Sequence, residues 1–172
     1  MKIVVNAGHT KKGPGSGAVY NGFNEGTITR AVTKALTAQL QAKGHKVYDA
    51  TVDAATSQTA YLQEAVKKAN RTNADLFISI HCNASASHQG HGTECYTYKG
   101  RQHPEALEIC KNLERLGFRN RGVKDGTHLY VVRNTTAKAI LVELFFLDNA
   151  TDRSIYKKHG VNRMADAIAN AL

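Results

Sequence analysis

Three apolar, largely β-branched runs alternate with two segments whose apolar residues recur at helical spacing. The runs are 2–7 (KIVVNA), 46–50 and 75–81 (DLFISIH). Between them, Ile28, Val32, Leu36 and Leu40 form one helical stripe, and Leu62, Ala65, Val66 and Ala69 form another. A strand–helix–strand–helix–strand start of this kind commits a chain to a mainly parallel sheet with helices on both faces. The spacing predicts helices from Asn24 to about Gly44 and from about Thr56 to Arg71, with Asn24 as an N-cap and Gly44 as a stop.

The second half continues the pattern. Strands are predicted at 93–98, 128–132 (HLYVV) and 139–144 (AILVEL). A helix opens at Pro104 and ends near Leu116, and two more run over about 150–158 and 160–172. The expected fold is therefore α/β, a single domain over 1–172, with a mainly parallel twisted sheet of about six strands. The 172 residues suffice for one sizeable core. Residues 8–23 (GHTKKGPGSGAVYNGF) form a long glycine-rich loop, and loops of this length inside a compact domain are usually functional.

Several classes are excluded. No apolar run approaches the roughly 20 residues that span a bilayer, and the N-terminal apolar stretch is too short for a secretory signal. The expectation is synthesis in the cytoplasm, no membrane insertion and a monomer. The three cysteines, Cys82, Cys95 and Cys110, are odd in number and lack a C-x-x-C pair, which indicates neither a disulfide framework nor a thiolate zinc knuckle. P-loop, H-E-x-x-H and G-x-S-x-G signatures are absent. The formal charge of +9 carries no basic tail and favours an anionic partner. Aromatic residues are not interleaved with the basic ones as a nucleic-acid stacking platform requires, so no nucleic-acid partner is expected. Lys111, Arg115, Arg119, Arg121 and Lys124 make the densest basic run.

Ligands of an open α/β sheet bind beyond the carboxyl ends of its strands. His9 falls two residues past the first strand, Glu25 opens the first helix, His81 ends the third strand, and Glu143 lies in the last. Two histidines and a carboxylate form a common three-ligand zinc set with an open fourth position. A glutamate at a helix N-terminus is favoured in its charged form, which suits Glu25 as a ligand. Glu143 then serves as the base. Its apolar flanks (AILVELFFL) raise its proton affinity by desolvation. Glu94 is the rival base, His128 is a further group that can face the site, and His45, His88, His91, His103 and His159 read as structural or exposed.

The stretches VVNAGH, Asn24–Glu25, ISIHCNA, GTECYTY, NRGVK, LYVVR and AILVELFFLDNATD occur in an order and spacing that resembles the zinc-dependent N-acetylmuramoyl-L-alanine amidases of the amidase-3 type, over essentially the whole chain. The resemblance implies Zn2+ held by His9, Glu25 and His81, with Glu143 as the catalytic glutamate. It implies hydrolysis of the amide between the lactyl group of N-acetylmuramic acid and L-alanine, with peptidoglycan as the partner. An endolysin or a mother-cell autolysin, acting on the wall after release, fits this reading. Asn83 and Arg133 lie in matching stretches and can contact substrate, although loop capping and surface charge are the preferred readings. The family's usual proline before the last strand and glycine after the glutamate are missing here, so Leu144, Phe145 and Phe146 are expected to reshape the site wall. A stem-peptide carboxypeptidase and a non-catalytic wall binder are the alternatives.

Overall fold

Alternation of side chains along two central strands decides where everything else sits. In the computed structural model, which describes residues 1–172, β1 (Lys2–Ala7) leads through a two-stranded hairpin, β2 (Val19–Tyr20) and β3 (Phe23–Asn24), into α1 (Glu25–Ala42). The Asn24 side chain accepts from the Thr27 N–H and caps α1 as the sequence predicts. Then follow β4 (Lys46–Asp49), α2 (Gln58–Asn70), β5 (Leu76–Asn83), β6 (Thr93–Thr97) and α3 (Pro104–Arg115). The chain ends with β7 (Asn120–Asp125), α4 (Tyr130–Asn134), β8 (Lys138–Phe146) and α5 (Ala150–Ala169).

The six-stranded sheet has the order β4-β1-β5-β8-β6-β7. The first four are mutually parallel, while β6 runs antiparallel to β8 and parallel to β7. One face is covered by α1, α3 and α5, and its core contains Ile3, Val5, Leu36, Ile78, Ile80, Ile140, Val142 and Leu144. The other is covered by α2 and α4 over Val4, Phe77, Val131, Val132 and Leu141. Residues at i and i+2 of a strand share a face. His81 thus follows Phe77 and Ser79 onto the second face, and Glu143 follows Leu141. That helical layer is the thinner one.

Three features differ from the prediction. Residues 128–132 are not a strand. Asp125 Oδ1 accepts from the Thr127 N–H at 2.8 Å, and the Leu129 N–H closes a turn onto Gly126. The chain then coils into α4, which buries both Val131 and Val132 against the sheet. The sixth strand is instead Asn120–Asp125, a polar segment at the sheet edge, where solvent on one side removes the need for apolar alternation. The two C-terminal helices form one element broken at Gly160, whose φ of 72° interrupts it close to the expected boundary.

Leu144, Phe145 and Phe146 do not form the site wall. Leu144 and Phe145 are fully buried in the α1–α3–α5 core, where Phe145 stacks between Phe118 and Tyr156 at ring-centroid distances of 5.9 and 4.9 Å. Phe146 packs beneath Gly90 and under the Arg121 guanidinium. The three cysteines are buried and free, as expected. No helix is long and apolar enough to cross a membrane. Because Phe145 sits in this dry stack, Phe145→Ala is expected to lower unfolding free energy by about 3–5 kcal/mol, read from a urea midpoint at unchanged slope.

Candidate metal centre

The site is assembled around a buried glutamate. Glu25 opens α1, and its carboxylate points back beneath the glycine-rich loop. Oε2 accepts from the Ala18 N–H at 3.0 Å, and Oε1 accepts from the Cys82 N–H at 3.0 Å. The same Oε1 lies 3.0 Å from His9 Nε2 and 3.3 Å from His81 Nδ1. One ligand-capable atom from each of the three residues falls within 4.8 Å of the others. Burial pushes the Glu25 carboxyl upward, but the contacts with His81 and His9 outweigh it and hold the group well below the usual carboxylate range. Burial keeps His81 below the ordinary histidine value. For His9 the contacts with Glu25 overcome burial and raise it.

The histidine tautomer bears on what this cluster can hold. His9 Nδ1 lies 2.9 Å from the carbonyl oxygen of Gly15, which can only accept, so Nδ1 carries the proton. In the neutral ring the lone pair of Nε2 then faces a carboxylate oxygen. Either a second ring proton or a metal cation fills that gap. Two imidazoles and a carboxylate on one rim are a donor set for a divalent metal with an open position. The residues present fit such an ion.

The His9 backbone is itself strained, with a positive φ of 71° that costs on the order of 1 kcal/mol or more for a residue other than glycine. Three side chains keep it there. The Tyr61 hydroxyl accepts from the His9 N–H at 2.6 Å, and Thr29 Oγ1 donates to the Gly8 carbonyl at 3.0 Å. Arg30 donates to the carbonyls of His9 (2.9 Å), Gly26 (3.0 Å) and Val52 (3.2 Å), and to Asp53 Oδ1 (3.1 Å). Glycines give the rings room: a Cβ on Gly8 would come within 2.4 Å of the His81 ring, and one on Gly17 (φ +77°) within 2.7 Å of His9.

Glu143 faces this cluster across the sheet. It stands opposite His81 on β5 and opposite Glu94 on β6. Its Oε2 is buried without a partner. Burial, and next the charges of Glu25 and Glu94, push its pKa well above the ordinary carboxylate value. Glu94, the rival base, is fully engaged instead. Its oxygens accept from Asn83 (2.8 Å), Tyr96 (3.0 Å) and Arg121 (2.6 Å), and Lys124 lies 3.1 Å away. Burial pushes Glu94 up, but Arg121, Lys124 and Tyr96 outweigh it and hold its carboxyl below the usual range. Two members of the dense basic run are therefore spent on Glu94, while Lys111 and Arg115 pair with Glu108.

His9, Glu25, His81 and Glu143 share a cleft of about 430 Å³. Leu62 of α2, Leu129, Tyr130 and Val131 around α4, and Leu141 of β8 make its apolar side, and Gln58, Asn83 and His128 add polar groups. The structure therefore brings His128 to the cleft. Arg133 is not among the lining residues. Sequence reading missed the apolar wall, because α4 was read as a strand. It also missed Arg30 and Tyr61, which look like an ordinary exposed arginine and an ordinary core aromatic until the loop is folded onto them.

A family model described as N-acetylmuramoyl-L-alanine amidase matches residues 3–172. The N-acetylmuramoyl-L-alanine amidase LytC of Bacillus subtilis is 33% identical over 91% of this chain and 31% of its own length. The endolysin of Bacillus phage SPP1 is 32% identical over 99% of this chain and 64% of its own. The chain thus spans about a third to two thirds of these curated relatives. Among solved structures, the catalytic domain of the CD27L endolysin targeting Clostridia difficile superposes with a TM-score of 0.89 at 30% identity, covering 99% of this chain and 96% of that one.

Arg30→Ala removes the four contacts that pin the His9 loop. It is expected to lower stability by about 2–3 kcal/mol and divalent-metal affinity about 10- to 100-fold, measured by thermal unfolding and chelator competition. Glu94 gives a pH prediction. Its folded carboxyl is depressed, so its contribution is complete above the unfolded value of about 4.3 and is lost as pH falls through the folded pKa. The Tm difference between wild type and Glu94→Gln should be largest near about pH 6 and shrink toward about pH 3.

Proposed function

The chain belongs to the Amidase_3 family, N-acetylmuramoyl-L-alanine amidases, and from that membership we propose that it is a zinc-dependent peptidoglycan amidase. The bond cleaved is the amide between the lactyl group of N-acetylmuramic acid and L-alanine of the stem peptide. The observation that carries the reading is the shared cleft: a His–Glu–His donor set on one side and an unpartnered glutamate on the other.

His9, Glu25 and His81 would hold the ion, with Glu25 supplying the charge and the backbone N–H groups of Ala18 and Cys82 keeping its carboxylate oriented. When bound, zinc supplies Lewis acidity for carbonyl polarisation and water activation. Glu143 takes the proton of the attacking water as the carbon–oxygen bond forms. It returns that proton to the alanine nitrogen as the carbon–nitrogen bond breaks, which frees an amine and a lactyl carboxylic acid that then ionises. Burial raises its proton affinity, which suits return of the proton to the leaving group, while a cation bound in the same cleft would oppose that rise and favour the ionised form that takes the proton from water. Leu62, Leu129, Val131 and Leu141 exclude water from one side of the cleft and offer apolar contact to the methyl groups that flank the scissile amide. As the partner is a wall polymer, the protein acts there after release from the cell in which it is made.

Purified sacculi digested with zinc present should give intact glycan strands and free stem peptides that begin with alanine, identified by mass spectrometry. Peptides shortened at the C-terminus would instead indicate a carboxypeptidase, and no product would indicate a wall binder. Glu143→Gln is expected to lower turnover by about 10²–10⁴-fold while zinc stoichiometry stays at that of the wild type. Turnover retained in this variant would remove Glu143 from the mechanism.

A further inference from the structure

A second cavity, of about 340 Å³, lies at the far end of the sheet. It is built where β8 begins and where the chain leaves β6 through a short 3-10 turn at Tyr98–Gly100. Lys138 opens β8 and Glu143 follows five residues later, so the two sites are about 17 Å apart along the strand. The lining residues that matter are Arg101, His103, Arg133, Thr135 and Lys138, and no carboxylate is among those that line it.

The charge there is largely uncompensated. Lys138 has Glu105 at 2.7 Å, but neither Arg101 nor Arg133 has a carboxylate partner. Arg133 spends one nitrogen on the Thr127 carbonyl at 3.0 Å, and Arg101 lies over the Tyr98 ring at 5.9 Å, which leaves the remaining donors of both exposed guanidinium groups free beside the cavity. Burial, and then the Lys138 charge, lower the proton affinity of His103. The Thr135 hydroxyl is buried and has no partner in the protein. Two arginines without acidic partners, an ion-paired lysine, a buried spare hydroxyl and no acid in the lining form a receptor for a compact oxyanion with several acceptor oxygens.

We propose that this cavity binds a phosphate group, with Arg101 and Arg133 as its principal donors and Lys138 as a point charge. The same chemistry is presented by free inorganic phosphate and by a phosphodiester polymer. The site is separate from the metal centre and does not depend on the amidase reading.

Backbone amide spectra of the full chain, titrated with inorganic phosphate and separately with a glycerol-phosphate oligomer, test it. The expected result is a saturable shift confined to amides of 98–103 and 132–139. The Arg101→Gln/Arg133→Gln double variant should bind about tenfold more weakly or worse, and Arg133→Gln alone should fall between the two. Unchanged spectra outside the cavity establish that each variant is folded. Tighter binding of the oligomer identifies the polymer as the source, and equal affinity identifies the free anion. Unsaturable shifts spread over the surface lysines, or binding that the double variant leaves intact, would overturn the proposal.

Discussion

A single buried carboxylate organises this molecule. Glu25 belongs to α1, yet it reaches the backbone of the glycine-rich loop at Ala18 and of β5 at Cys82, and it lies against two histidines on separate segments. A charge buried this deeply is costly unless each lone pair is met. Meeting them forces the loop to fold back over α1 and holds α1 against the end of β5. The strained backbone at His9 is tolerated because Arg30, Thr29 and Tyr61 over-determine it from two helices.

Glu143 obeys a different constraint. Its position follows from strand alternation, which carries odd-numbered residues of β5 and β8 to the face where α2 and α4 leave a gap. Glu94 reaches the same neighbourhood from the antiparallel strand, but Arg121 and Lys124 are there to neutralise it. Two glutamates face each other across one strand pair and differ in what surrounds them. One is held as a salt-bridged carboxylate, and the other is left without a partner, its proton affinity raised by burial.

Most of the architecture was legible because parallel strands buried on both faces show continuous apolar runs and their helices show regular stripes. The four proposed site residues were legible for the same reason: strand ends and a helix start put them on one rim. The failures share a cause. At 128–132, apolar residues adjacent in sequence suggested a strand, but a helical turn also buries Val131 beside Val132, and local turn chemistry at Asp125 and Thr127 decided the matter. Asn120–Asp125 was invisible because an edge strand needs no apolar pattern. Phe145 and Phe146 were assigned to the site wall from proximity to Glu143 in sequence, whereas a register irregularity between Glu143 and Phe146 breaks the alternation of β8 and turns Phe145 into the opposite core beside Leu144.

The strand order has a further consequence for assembly. β8 is laid between β5 and β6, although it is the last strand to be synthesised. Until residues 138–146 arrive, β4-β1-β5 and β6-β7 are two separate fragments, each with an open edge where β8 belongs. Such late, long-range insertion makes folding slow, and it leaves half-sheets exposed to self-association on the ribosome or after dilution from denaturant. Glu143 rides on that closing strand. The molecule thus acquires its completed sheet and its proposed proton-transfer group together.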